Sequence, residues 1–271
     1  TPFAMNSSAW GRAAVAAAFG AVSLPANDEQ LTGRGLVSGY LEPLSRIPAL
    51  AGRIHESFRV RAITRQRTWK HHLVGRRETV ADRFRILLDT PVGERVESAD
   101  VVLDCSGTWP NHNWIGAGGV PCPGERRLLA AGDYRLPDVA GIGRDRFAGR
   151  TTLVVGSGHS AATTVAGLVR LARDAPGTRV VWVTRDRSDG PLTAIDDDPL
   201  TERLQLAQQA NRSARDGHGP VDWRPGRLVQ AIRPAGNRFA VRLDDAAWAG
   251  QGEPGETIEV DRIVANVGYR P

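Results

Sequence analysis

Six consecutive residues, Gly156, Ser157, Gly158, His159, Ser160 and Ala161, have the G-x-G-x-x-A spacing of a turn that cradles a pyrophosphate. The first Gly suits a tight turn, the second lets the backbone approach phosphate, and the small sixth residue lets a helix lie close to a strand. N–H groups at the start of the following helix, with its dipole behind them, favour negative charge. One strand further on, Arg185 and Arg187 stand where an NAD site carries the Asp or Glu that holds the ribose 2′-hydroxyl. Guanidinium groups suit a 2′-phosphate, so the expected ligand is NADPH; the other reading is a solvated loop in an Arg-rich chain. His159 reads as an exposed first-turn residue rather than a catalytic acid, and no catalytic residue is assigned.

The elements needed to hold such a turn are present on both sides. Thr151–Val155 is a continuous apolar run, as in a strand buried on both faces of a parallel sheet. A helical pattern follows and stops at Ala175-Pro-Gly177, and Arg179–Thr184 is a second apolar strand.

Other chemistries are narrowed by what the chain lacks. Lys70 is the only lysine and the residue four before it is Gln66, so a Tyr-x-x-x-Lys hydride-transfer pair is excluded. The two cysteines, Cys105 and Cys122, form neither a C-x-x-C redox pair nor a metal-ligand spacing, which removes the dithiol disulfide reductases from consideration. Cys105 reads as a buried core residue in a strand, and Cys122 as a loop residue without function. The acidic run Asp196-Asp-Asp-Pro199 reads as a helix start, with Asp198 as N-cap and Pro199 in the first helical position, so no metal is expected. The loop Trp109-Pro-Asn-His-Asn-Trp114 offers Asn111, His112 and Trp114 as contacts to a substrate or an isoalloxazine ring, or is a plain inter-domain loop.

An internal repeat organises the rest. Val60-Arg-Ala-Ile63 aligns with Val229-Gln-Ala-Ile232, and Arg83-Phe-Arg-Ile-Leu-Leu-Asp89 with Arg238-Phe-Ala-Val-Arg-Leu-Asp244. Asp100–Gly107 then aligns with Asp261–Gly268, each Gly being followed three residues later by Pro110 or Pro271. Each copy reads as two alternating strands joined by a turn, then a buried apolar strand ending in Gly. The second copy is preceded by the 151–184 strand-turn-helix-strand unit and the first is not. The expectation is a first nucleotide-binding turn upstream of residue 1.

The chain's 271 residues are 41% hydrophobic and 24% charged, the composition of a globular protein with material for one or two cores. The formal charge of +5 is spread along the chain without a dense basic run, which points away from nucleic acid. No apolar run is long enough for a bilayer crossing. Ala13–Leu24 reads as a helix on a buried surface rather than a secretion signal, so the expected compartment is the cytoplasm. Leu36, Val37, Tyr40, Leu41 and Leu44 fall on one helical face and are expected to be core.

With these motifs, Leu31-Thr-Gly33, Leu36–Leu44, Asp104–Trp109, Pro121–Glu125, Gly132-Asp-Tyr134 and Val267–Pro271, the chain resembles the flavoprotein oxidoreductases related to flavin-containing monooxygenases. The resemblance implies two interleaved Rossmann-like three-layer dinucleotide-binding domains in the α/β class, the FAD part incomplete. Residues 1–117 with 266–271 would belong to the FAD side, 118–144 to a linker and 145–265 to the NADPH side. It implies that Ser106, Gly107, Thr108 and Gly268 line the FAD side and that Val60 touches the adenine through its backbone. Hydride would pass from NADPH to FAD, with a small-molecule substrate. The residue four before Tyr134 is Ala130, where the monooxygenase fingerprint has His. Oxygen activation and reduction of another acceptor therefore both stay open, as do a non-catalytic NADP(H)-binding sensor module and a flavin-free NADP dehydrogenase.

Overall fold

The computed structural model describes residues 2–21, 24–69, 71–72, 74–75, 82–108, 111–195, 197–247 and 255–270. Lys70, Trp109, Pro110, Asp196 and Pro271 lie outside them. The chain divides into two compact units, residues 1–105 and 106–271.

In the first unit, helix α1 (Ala9–Phe19) begins where the Ser8 hydroxyl accepts the Gly11 N–H at 3.0 Å. It ends at Gly20, whose φ of +88° a residue with a side chain adopts only at a cost. The Ala-rich run thus supplies a helix, but the helix starts four residues earlier than Ala13 and stops before Leu24, and of the run's described residues only Val15 is buried. Val15, Phe3, Tyr40 and Ile47 form its core. The stripe from Leu36 to Leu44 is core only in part: Tyr40 is buried, whereas Val37 and Leu41 are 50% and 44% exposed. The cause is local. Val37–Leu41 forms a π-helical turn, and its wider winding rotates the side chains away from the face that a 3.6-residue period assigns.

The unit's sheet is an antiparallel meander of β1 (Arg59–Arg65), β2 (Phe84–Thr90) and β3 (Gly93–Ala99). The expected buried strand at Asp100–Gly107 is not a strand. Val101 and Leu103 are 72% and 84% exposed and Cys105 is exposed rather than core. Its counterpart in the second copy pairs in parallel with a central strand, and among the described residues of the first unit no such neighbour exists.

The second unit has three layers. A parallel sheet in the order β10-β4-β5-β6 is built from β4 (Thr151–Val155), β5 (Arg179–Thr184), β6 (Val221–Pro225) and β10 (Arg262–Ala265). Helices α2 (His159–Asp174) and α3 (Thr201–Arg215) cover one face. An antiparallel meander of β7 (Arg227–Ala235), β8 (Arg238–Asp245) and β9 (Glu256–Val260) covers the other. Alternation along β4 explains why the strand reads as continuously apolar: Val154 enters the helix-side core, Leu153 and Val155 the meander-side core.

The repeat is a structural fact at the level of register. In one meander Val60 opposes Leu88 and Ile63 opposes Ile86; in the other Val229 opposes Leu243 and Ile232 opposes Val241. Both carry a β-bulge at the equivalent place, between Val60 and Ala62 and between Val229 and Ala231. Each copy holds three meander strands rather than two, because β3 and β9 alternate polar and apolar residues too weakly to be read as strands.

The helix start near Asp198 is also different. Helix α3 begins at Thr201, and the Asp198 carboxylate accepts the Leu200 N–H at 2.9 Å while binding Arg203 through both its oxygens. Arg203, in the first turn of the helix, claims the carboxylate by charge-assisted bonds stronger than a helix cap. Those bonds hold the Asp198 carboxyl below the usual carboxylate range.

Candidate functional site

The turn between β4 and α2 is fixed from three sides. Gly156 has φ +133°, and a Cβ there would lie 2.2 Å from the Asn266 carbonyl oxygen at the end of β10. No other residue fits that approach. The Gly156 N–H donates to Val183 O at 3.1 Å, and its carbonyl accepts the indole N–H of the fully buried Trp182 at 2.8 Å. Thr164 on α2 donates to the Asn266 side chain at 2.7 Å, which ties helix, turn and β10 together.

Gly158 is different in kind. It precedes α2 with an ordinary φ of −93°, and a Cβ added to it would meet nothing within 4 Å. The fold itself does not need a glycine here. The first turn of α2 leaves N–H groups without intrahelical acceptors at that spot. Ser157, His159 and Ser160 are exposed around it, and Ala161 lies fully buried beneath, packing the helix onto the sheet.

Gly156, Ser157, Gly158, His159 and Ser160, but not Ala161, line one cleft of about 620 Å³, whose walls include Arg185, Arg227, Asn113, Trp114 and Gly268. Of the two arginines expected to read a 2′-phosphate, Arg185 is in the cleft, beside Asp186 at 3.4 Å. Arg187 is not among the cleft's lining residues. It pairs with the nearly buried Asp245 and lays its stem over Gly226. The second cation of the cleft is Arg227, on which no sequence signal pointed; Asp245 lies 4.0 Å from its guanidinium.

The residues expected to hold FAD are shared between the two units, Val60 in the first and Ser106, Gly107, Thr108 and Gly268 in the second. Gly268 lines the cleft. Ser106, Gly107 and Thr108 are exposed and do not line it, and Val60 sits at the β1 bulge in the first unit, 53% exposed. The loop after Thr108 is more than a connection. Asn113 N–H donates to Gly268 O at 3.0 Å, its side chain donates to Val267 O at 3.1 Å, and Arg270 N–H donates to Asn111 O at 2.9 Å.

Behind that loop lies a buried carboxylate. Glu125, 0% exposed, accepts the Ile115 N–H at 2.9 Å, the Cys122 N–H at 2.8 Å and the Tyr134 O–H at 2.7 Å. Tyr134 stacks on His112 at 3.6 Å between ring centroids, and both meet Trp114 edge-on. Burial, and then Glu125, push the Tyr134 hydroxyl up from its ordinary range and the Cys122 thiol up to about 12. Among the described residues, no three His, Cys, Asp or Glu side chains are placed to hold a metal, and no helix is long and apolar enough to cross a membrane.

No family model and no curated protein matches the sequence. Solved structures match its fold. The bacillithiol disulfide reductase Bdr (YpdA) from Bacillus cereus superposes with a TM-score of 0.61 at 16% identity, over 92% of this chain and 60% of that one. The chain shares its fold. The ornithine N-hydroxylase KtzI from Kutzneria sp. 744, with reduced FAD, NADP+ and L-ornithine, superposes with a TM-score of 0.50 at 16% identity, over 88% of this chain and 59% of that one. The chain thus spans about three fifths of the length of these oxidoreductases.

Proposed function

We propose that the chain carries the NADPH site of a FAD-dependent oxidoreductase acting on a small molecule. The observation that carries this reading is Gly158: the fold leaves room for a Cβ at the residue that a bound pyrophosphate requires to be glycine. The cleft fits the ligand on other counts. The N-terminus of α2 offers N–H groups to the pyrophosphate, and Arg185 with Arg227 offers guanidinium to a 2′-phosphate. NADPH supplies a hydride and FAD receives it when both are bound. The protein's part is to orient the dinucleotide through the turn and to keep that turn rigid through Trp182 and Asn266. The KtzI complex with FAD and NADP+ supports the pairing of cofactors.

In this reading Val60, Ser106, Gly107, Thr108 and Gly268 serve the FAD side, with 1–117 and 266–271 as its share of the chain, 118–144 as linker and 145–265 as the NADPH side. Neither nucleic acid nor membrane is a partner. Two outcomes remain for the electrons, reduction of a small acceptor or activation of oxygen for hydroxylation.

The test is reduction of the FAD-loaded protein by NADPH without air, followed through the flavin's visible absorption. Loss of that band on adding NADPH, slower with NADH, is the expected result, and Arg185→Ala should narrow the gap between the two. If the bound flavin stays oxidised in NADPH, the oxidoreductase reading fails and a non-catalytic NADP(H)-binding module takes its place. Admitting air after reduction separates the two electron outcomes by whether a substrate hydroxyl forms.

A further inference from the structure

Neighbouring strands lie about 4.8 Å apart, so the order β10-β4-β5 sets three stations along the cleft. Arg185 follows β5 at one side, the glycine turn follows β4 in the middle, and Asn266, Val267 and Gly268 follow β10 at the other side. A dinucleotide with its pyrophosphate on the turn and its 2′-phosphate at Arg185 must extend its second ring towards the β10 end. The aromatic side chain that lines the cleft there is Trp114.

Trp114 is built as a rigid wall. The loop that carries it is hydrogen-bonded to Val267 and Gly268 through Asn113, and the next residue, Ile115, is anchored by its N–H on buried Glu125. His112 abuts the indole edge-on with centroids 4.6 Å apart, and the Arg126 guanidinium lies over the ring, 5.3 Å from its centroid. Neither His112 nor Arg126 lines the cleft. The indole is therefore packed by residues outside the cleft, while Trp114 itself lines it.

We propose that Trp114 is the surface against which the nicotinamide ring of NADPH packs, and so a specificity-determining residue for the nicotinamide half of the ligand. The inference rests on the NADPH reading. A flat, half-buried indole offers the dihydronicotinamide ring a large contact at low entropic cost.

The experiment compares two ligands of the full chain by calorimetry. NADPH has both halves; adenosine 2′,5′-bisphosphate has only the half that meets Arg185. Trp114→Ala should weaken NADPH by about tenfold and leave the bisphosphate unchanged, which also reports that the variant is folded. Trp114→Phe should recover most of the loss. If Trp114→Ala weakens neither ligand, or both equally, the assignment of Trp114 is wrong while the NADPH site stands. If the unmodified chain binds neither ligand, the NADPH site itself is wrong and Trp114 goes with it.

Discussion

Glu125 shows how a single side chain can organise a wall of the site without touching a ligand. A buried carboxylate costs several kcal/mol unless its lone pairs are met, and here three donors from Ile115, Cys122 and Tyr134 meet them. Tyr134→Phe removes one donor and keeps the ring stack on His112, so a loss of about 1–3 kcal/mol in chemical denaturation is expected. The alkaline limb of stability tests the same cluster. The folded protein holds the Cys122 proton up to about pH 12 whereas the unfolded chain releases it near the ordinary value of 9.0. The corresponding stability is present below pH 9 and is lost as the pH rises towards 12. Tyr134, also raised, adds a loss in the same direction above its ordinary 10.0. Unfolding midpoints should fall over this range, and Cys122→Ala should flatten the lower part of the fall. In the folded protein a thiol reagent should modify exposed Cys105 and spare Cys122, with both reacting in denaturant.

Between β4 and α2, two glycines two positions apart answer to different demands. Gly156→Ala forces a Cβ onto the Asn266 carbonyl at positive φ and should cost about 1–3 kcal/mol of stability. Gly158→Ala should leave the melting temperature unchanged, because a Cβ there meets nothing within 4 Å, and on the proposed function should weaken NADPH more than tenfold, as read by titration. This turn was legible in the sequence because all its determinants are consecutive: an apolar strand, the glycines, then a helix. Arg227 and the Glu125 cluster were not, since their place in the site comes from how β7 and the 111–134 segment fold back, which no local spacing encodes. Arg187 misled for the converse reason. It follows the right strand, but buried Asp245, 58 residues away, draws its guanidinium aside. The strand at Asp100–Gly107 misled because apolar content reports a wish for burial and is silent on whether a neighbour is present to satisfy it.

The two units differ in how far each satisfies its own apolar groups. Residues 106–271 enclose a core on each face of the parallel sheet. In residues 1–105 the meander leaves Val60, Ile63 and Val96 more than 40% exposed. A fragment spanning 106–271 should therefore melt in one cooperative transition and bind NADPH, while 1–105 alone should show no sharp calorimetric peak. One pairing in the larger unit bears on how the protein is made. The Thr151 N–H donates to the Asp261 carboxylate, 110 residues later in the chain, where β10 comes to lie beside β4. So distant a partner is found late, because closing a long loop is entropically slow. During translation β5 to β9 emerge while one side of β4 still lacks its neighbour, and the carbonyl that seats Gly156 arrives only with Asn266. The nascent chain is thus an incomplete sheet with an adhesive flank until then, a stage at which a chaperone, or a partner strand from another ribosome, would have its opportunity.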